Sequence, residues 1–101
     1  SPSFSVDRWL DNVGLYWFTG TATSSARMYW ESLNEPQPAP RGPVGCSIFP
    51  YELRRPPRRW AERVFPDLRY WNETDRGGHF AAWEQPELFT EEIRSFFRLV
   101  R

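Results

Sequence analysis

The sequence predicts an α/β fold in which two parallel strands alternate with helices. Three observations support this. From residue 44 onward the apolar patterns follow the order strand, helix, strand, helix, which implies a parallel strand pair. The apolar run 44–49 lacks polar alternation, as expected for a strand buried on both faces. The stretch 86–100 carries an apolar stripe at helical spacing. Because parallel sheets need cover on both faces, we expect further strands upstream of residue 1.

The aromatic content is high for so short a chain. The 101 residues include six Trp, eight Phe and four Tyr, and the mean hydropathy is −0.69. This length corresponds to one domain at most. Aromatic side chains bury about 150–250 Å² each, which is more surface than a small chain rich in proline can easily cover. We therefore expect the sequence to be a piece of a larger protein.

Charge and cysteine content exclude several classes of protein. The 13 basic and 13 acidic residues balance, which argues against a nucleic-acid partner. Cys46 stands alone, so the chain has neither a disulfide framework nor a zinc site built on cysteines, and we expect no cofactor and no metal. A lone thiol fits a reducing, cytoplasmic location. No apolar run approaches the ~20 residues of a membrane span.

The first 35 residues are predicted to be helical. Residues 6–33 form two helices, with Ser5 as the N-cap of the first and Gly20 at its end. The second helix covers roughly 24–33 and is apolar most of the way round, so we expect it to be covered on more than one side.

A proline-rich stretch separates this helical part from the rest. Residues 36–43 contain four prolines, which favour an extended linker. The chain thus divides into 1–35, a linker at 36–43, and 44–101. Within the last part the predicted elements are a strand at 44–49, a helix at 57–65, a strand at 68–72, a loop at 77–80 and a helix at 86–100 with Glu and Arg opposite its apolar stripe.

Two polar residues follow the two predicted strands. Glu52 follows the first strand and His79 the second, and the carboxyl ends of parallel strands are where such sheets place ligands. A carboxylate beside an imidazole can fix the tautomer of the ring, as in a hydrolytic triad. A lone histidine is more often structural, and Asp75 is a rival acid that would need a sharp turn to reach His79. Cys46 lies inside a strand and is expected to be a core residue; no G-x-S-x-G motif is present.

Three motifs resemble the epoxide hydrolases of the α/β-hydrolase fold, in the branch of the microsomal and juvenile-hormone enzymes and their bacterial relatives. The run 75–88, DRGGHFAAWEQPEL, resembles the segment that bears the catalytic histidine. The run 49–53, FPYEL, resembles the segment that bears the acid. The runs 11–21 and 24–29, DNVGLYWFTGT and SSARMY, resemble the lid. The resemblance covers essentially the whole chain, in order.

The resemblance implies a fold, a reaction and three site residues. The chain would be a C-terminal fragment of an α/β-hydrolase fold, with 1–35 as lid helices and 44–101 as the last strands and helices. His79 would be the general base, Glu52 the acid that orients it, and Tyr29 one of two lid tyrosines that hydrogen-bond the epoxide oxygen. The nucleophilic aspartate of the family lies upstream and outside this sequence.

The sequence is compatible with alternative functions. The chain could be a non-catalytic remnant or interaction module of the same fold, or part of another α/β-hydrolase with an aspartate nucleophile, such as a dehalogenase. Tyr29 favours the epoxide, although by frequency alone it could be one packed aromatic among many. The expected partners are a small epoxide substrate and either the missing N-terminal part of the enzyme or a second copy of the chain.

Overall fold

The computed structural model describes residues 4–35 and 38–101. The chain divides into two compact units, Ser1–Pro38 and Ala39–Arg101. The division falls within the predicted linker 36–43, of which residues 36 and 37 lie outside the described residues.

The first unit contains two helices, as predicted. Helix α1 spans Val6–Thr19 and begins at Ser5, whose side-chain oxygen accepts a hydrogen bond from the Arg8 backbone N–H at 3.3 Å. It ends at Gly20, which adopts the left-handed conformation with φ 64°. Helix α2 spans Ala22–Asn34 and so begins two residues earlier than predicted.

The expectation that α2 is covered on more than one side was wrong for this chain. Met28, Tyr29 and Trp30 are 61%, 65% and 75% exposed. Two helices provide at most one packed face each, so a helix that is apolar all round keeps the remaining faces in water.

The second unit has the predicted order of strands and helices. Strands β1, Val44–Ile48, and β2, Leu68–Glu73, form a parallel two-stranded sheet, with helix α3, Arg58–Val64, between them in sequence. Helices α4, Ala81–Glu84, and α5, Pro86–Leu99, follow β2. The four-residue helix α4 was not predicted, since it is a single turn that leaves no periodic signal.

Burial departs from the prediction at β1 and α5. Strand β1 is mostly half-buried rather than buried on both faces, because β2 is its one neighbour among the described strands. On α5, Glu92 does not lie opposite the apolar stripe: it is 8% exposed and bonds to both strands. Ile93 and Phe97, members of the stripe, are instead 42% and 54% exposed. In the described parts of the chain, the buried apolar residues are Phe49, Ala61 and Ala81.

None of the helices in the described ranges combines the length and the apolar character needed to cross a bilayer.

A candidate acid–histidine site

The carboxyl ends of β1 and β2 are joined by a short backbone bridge beyond the strands. Tyr51 pairs with Gly78 in parallel register, and the Tyr51 N–H donates to the Gly77 carbonyl at 3.1 Å. Glu52 and His79 are the next residue along each segment. The bridge therefore brings their backbones side by side at one edge of the sheet.

The predicted contact between Glu52 and His79 is confirmed. Glu52 Oε1 lies 2.8 Å from His79 Nδ1, although the residues are 27 positions apart in sequence. The rival acid Asp75 is instead 3.6 Å from the guanidinium of Arg76. Glu52 Oε1 also accepts a hydrogen bond from the Leu53 N–H at 2.6 Å, so the carboxylate is held from two directions.

These hydrogen bonds stabilise the ionised form of Glu52. The bond from His79, followed by that from the Leu53 N–H, lowers the pKa of Glu52 below its ordinary value. An ionised carboxylate only accepts hydrogen bonds, so His79 must donate through Nδ1–H. In the neutral ring, Nε2 then carries the lone pair, and this is the tautomer that a general base requires.

A cleft of about 450 Å³ opens beside this pair. Its wall combines the two polar side chains with apolar and aromatic ones, which include Phe49, Phe80, Trp83 and Phe89. The His79 side chain is 55% exposed and that of Glu52 30%, so the acid lies deeper than the base. Water can therefore reach the histidine, while the acid stays behind it.

Two polar groups near the site were not singled out from the sequence. Glu84 Oε1 accepts a hydrogen bond from the Phe80 N–H at 3.1 Å and so closes the turn of α4 directly after His79. The sequence signal for Glu84 was a glutamate four residues after a backbone N–H at a helix start, where such groups have no partner within the helix. Ser47 lines the same cleft and donates to Glu92, a pairing 45 positions apart that no local pattern reveals.

The remaining candidates lie elsewhere. Tyr29 lies on α2 of the first unit, whereas Glu52 and His79 both belong to the second, so its role stays a prediction. Cys46 is half-buried in β1, and burial raises the pKa of its thiol, which disfavours the reactive thiolate. Within 4–35 and 38–101, no three His, Cys, Asp or Glu side chains are grouped as metal ligands would be.

Comparison with known proteins gives a consistent set of relatives. No protein-family model matches the chain. It is 54% identical over 101 residues to a protein of Stigmatella aurantiaca named "Putative epoxide hydrolase", a match that covers 98% of this chain and 23% of the relative. It is 40% identical to pig "Epoxide hydrolase 1" over 104 residues, covering 96% and 23%. It is 34% identical to flea (Ctenocephalides felis) "Juvenile hormone epoxide hydrolase 1" over 97 residues, covering 89% and 21%. The chain thus spans less than a quarter of the length of these relatives.

Proposed function

We propose that this chain, which is homologous to one segment of the epoxide hydrolases, supplies the acid and the general base of a site that hydrolyses epoxides to vicinal diols. The observation that carries the proposal is the 2.8 Å contact between Glu52 and His79 beyond the carboxyl ends of two parallel strands. The fold proposed for the whole protein is that of the α/β-hydrolases, with this chain as its C-terminal part. The lone free thiol supports a cytoplasmic location.

The proposed reaction has two steps. An aspartate carboxylate outside this chain attacks one epoxide carbon; the C–O bond of the ring breaks and an alkyl–enzyme ester forms. His79 then takes a proton from water through Nε2, and the water oxygen attacks the ester carbonyl. The ester C–O bond breaks, and the leaving oxygen takes the proton that His79 holds. The carboxyl group released from the ester loses its proton, which balances the proton taken up by the alkoxide of the first step, so the diol leaves and the aspartate carboxylate is regenerated. Glu52 stays ionised and stabilises the imidazolium that His79 becomes.

Tyr29 has its proposed role in the first step. A phenol that donates a hydrogen bond to the epoxide oxygen stabilises the alkoxide that develops as the ring opens. Its 65% exposure leaves the side chain accessible to such a ligand. A second tyrosine from outside the chain would share this role.

A chimera provides the direct test. The 101-residue chain alone should not hydrolyse epoxides, because the proposed nucleophilic aspartate lies outside it. We therefore place it in the Stigmatella aurantiaca relative, in exchange for the matching segment, and measure diol formation from styrene oxide. The chimera should be active, and His79→Ala should accumulate the alkyl–enzyme ester, visible as protein mass increased by one substrate.

A pair of variants and two further outcomes separate the alternatives. Glu52→Gln should lower the rate of ester hydrolysis within the roughly 10²–10⁴-fold range of acid–base assistance, and Glu87→Gln on the exposed side of α5 should leave it unchanged. An inactive but folded chimera would support the non-catalytic remnant. Chloride release from a chloroalkane without diol formation from the epoxide would indicate a dehalogenase.

A further inference from the structure

Glu92 is a buried carboxylate that the proposed reaction does not use. It lies on α5 and is 8% exposed. Oε2 accepts hydrogen bonds from the hydroxyl groups of Ser47 at 2.7 Å and Tyr70 at 3.0 Å. Oε1 accepts one from the side-chain amide of Asn72 at 2.8 Å. One carboxylate therefore receives three side-chain donors from outside its own helix.

These donors come from both strands of the sheet. Ser47 belongs to β1, whereas Tyr70 and Asn72 belong to β2. Ser47 and Asn72 are register partners in the parallel ladder. Glu92 thus bonds to both members of a cross-strand pair. A slip of one residue would turn one member to the opposite face of the sheet and break the arrangement.

The chemistry of these contacts makes the register costly to change. The three hydrogen-bonding partners are neutral, so the negative charge is compensated by hydrogen bonds alone. A buried charge that loses a donor keeps its desolvation cost, and such networks specify one arrangement strongly. Burial, and then the bond to Glu92, raise the pKa of Tyr70, so its phenol stays protonated as a donor.

The network lies directly before the site. Ser47 lines the cleft that also contains Glu52 and His79. Beyond Ser47 and Asn72, the two strand segments continue to the Tyr51–Gly78 bridge and then to the acid and the histidine. We propose that Glu92 is a positioning residue: it fixes β1 against β2 and so holds Glu52 in hydrogen-bonding reach of His79. The positioning role is argued from the structure alone, and only its effect on catalysis rests on the proposed function.

The test measures the contact itself in the 101-residue chain, labelled with ¹³C-glutamate and ¹⁵N-histidine. His79 is its one histidine, so the imidazole signals are unambiguous. In Glu92→Leu we expect the pKa of Glu52 to rise toward its ordinary value of 4.5, and the ring to lose its fixed Nδ1–H tautomer. Glu92→Gln should keep both the lowered Glu52 pKa and the Nδ1–H tautomer, because the hydroxyl groups of Ser47 and Tyr70 can turn to accept hydrogen bonds from the amide. Glu87→Leu on the same helix is the matched control.

Several outcomes would decide the matter. A folded Glu92→Leu chain with the Glu52 titration and the His79 tautomer unchanged would overturn the proposal. If Glu92→Leu does not fold, Ser47→Ala decides, since it cuts the tie to β1 and leaves two donors: a raised Glu52 pKa supports the proposal, and an unchanged one overturns it. An inactive chimera with these shifts intact would reject the proposed function and leave the role of Glu92 standing.

Discussion

Gly77 lies so close to the ring of Phe49 that a Cβ at Gly77 would stand 2.8 Å from Cδ1 of that ring. Gly77 also has φ 96°, a conformation that L residues rarely adopt. Phe49 follows β1 and is 9% exposed, and Gly77 comes two residues before His79. The absence of a side chain at Gly77 therefore lets the segment that carries the histidine approach the segment that carries the acid.

Gly77→Ala should destabilise the second unit and disturb the site. Strain at a left-handed position costs about 1–3 kcal/mol, and the added methyl group must push the Phe49 ring or the loop aside. We expect a lower urea midpoint and a Glu52 pKa closer to its ordinary value. Gly42→Ala is the control, since a Cβ there meets nothing within 4 Å. Equal midpoints for the two variants would contradict this account of the turn.

The acid–histidine contact should make stability depend on pH in the acidic range. The pKa of Glu52 is lower in the folded chain, where His79 and the Leu53 N–H donate to it, than its ordinary value of 4.5. The unfolded state therefore binds the proton more readily. The stabilisation is present above the ordinary pKa and is lost as pH falls through the lower, folded value.

Urea unfolding of the wild type and Glu52→Gln at successive pH values measures this contribution. Asp67, whose pKa is lowered by its hydrogen bond from Arg69, contributes in the same direction, and the difference between the two proteins removes that background. The gap between the curves should close as pH falls below 4.5. Curves that stay parallel over the whole range would show that the contact does not stabilise the fold.

Tyr29→Phe in the chimera should slow the formation of the alkyl–enzyme ester and leave its hydrolysis unchanged. The loss should be smaller than the roughly 10²–10³-fold expected when a single oxyanion donor is removed, because a second tyrosine would remain. Rapid-quench measurements of ester formation check the first step. Tyr16→Phe, on α1, should have no effect. Slower ester hydrolysis with normal ester formation would place Tyr29 outside the proposed role.

Most of the helices and strands could be predicted from local sequence signals, because each signal depends on the chemistry of the residues that produce it. Ser5 and Gly20 are capping residues whose effect does not depend on the rest of the chain. Helix α1 begins after Ser5 and ends before Gly20, as expected. The order of Glu52 and His79 after two strands was enough to predict their contact, since the ends of parallel strands meet at one edge.

The sequence could not predict the partners of Glu92, because they are set by tertiary contacts. Glu92 lies four residues after Leu88 and four before Phe96, so helical spacing places it within the apolar stripe of α5 but does not identify the groups that bind a carboxylate there. The three donors on the strands explain how this carboxylate is satisfied when buried, while Glu91 pairs with Arg98 at 3.1 Å in exposed positions. The exposure of Ile93 and Phe97 has the same origin, because it depends on which surfaces lie beside the helix.

The chain should associate, either with the rest of the proposed enzyme or with another copy of itself. Strand β1 pairs only with β2 among the described strands, so its other edge carries backbone groups without a ladder partner. Large aromatic side chains are exposed in both units, at 78% for Trp17, 75% for Trp30 and 56% for Trp60. Such surface is rarely left uncovered on soluble monomers.

Sedimentation of the purified chain should therefore show species above 12.0 kDa. Adding the complementary part of the Stigmatella aurantiaca relative should replace them with a one-to-one complex, since a neighbouring parallel strand satisfies the free edge. A single monodisperse species of 12.0 kDa that melts cooperatively, and does not bind the complementary part, would show that these surfaces need no partner.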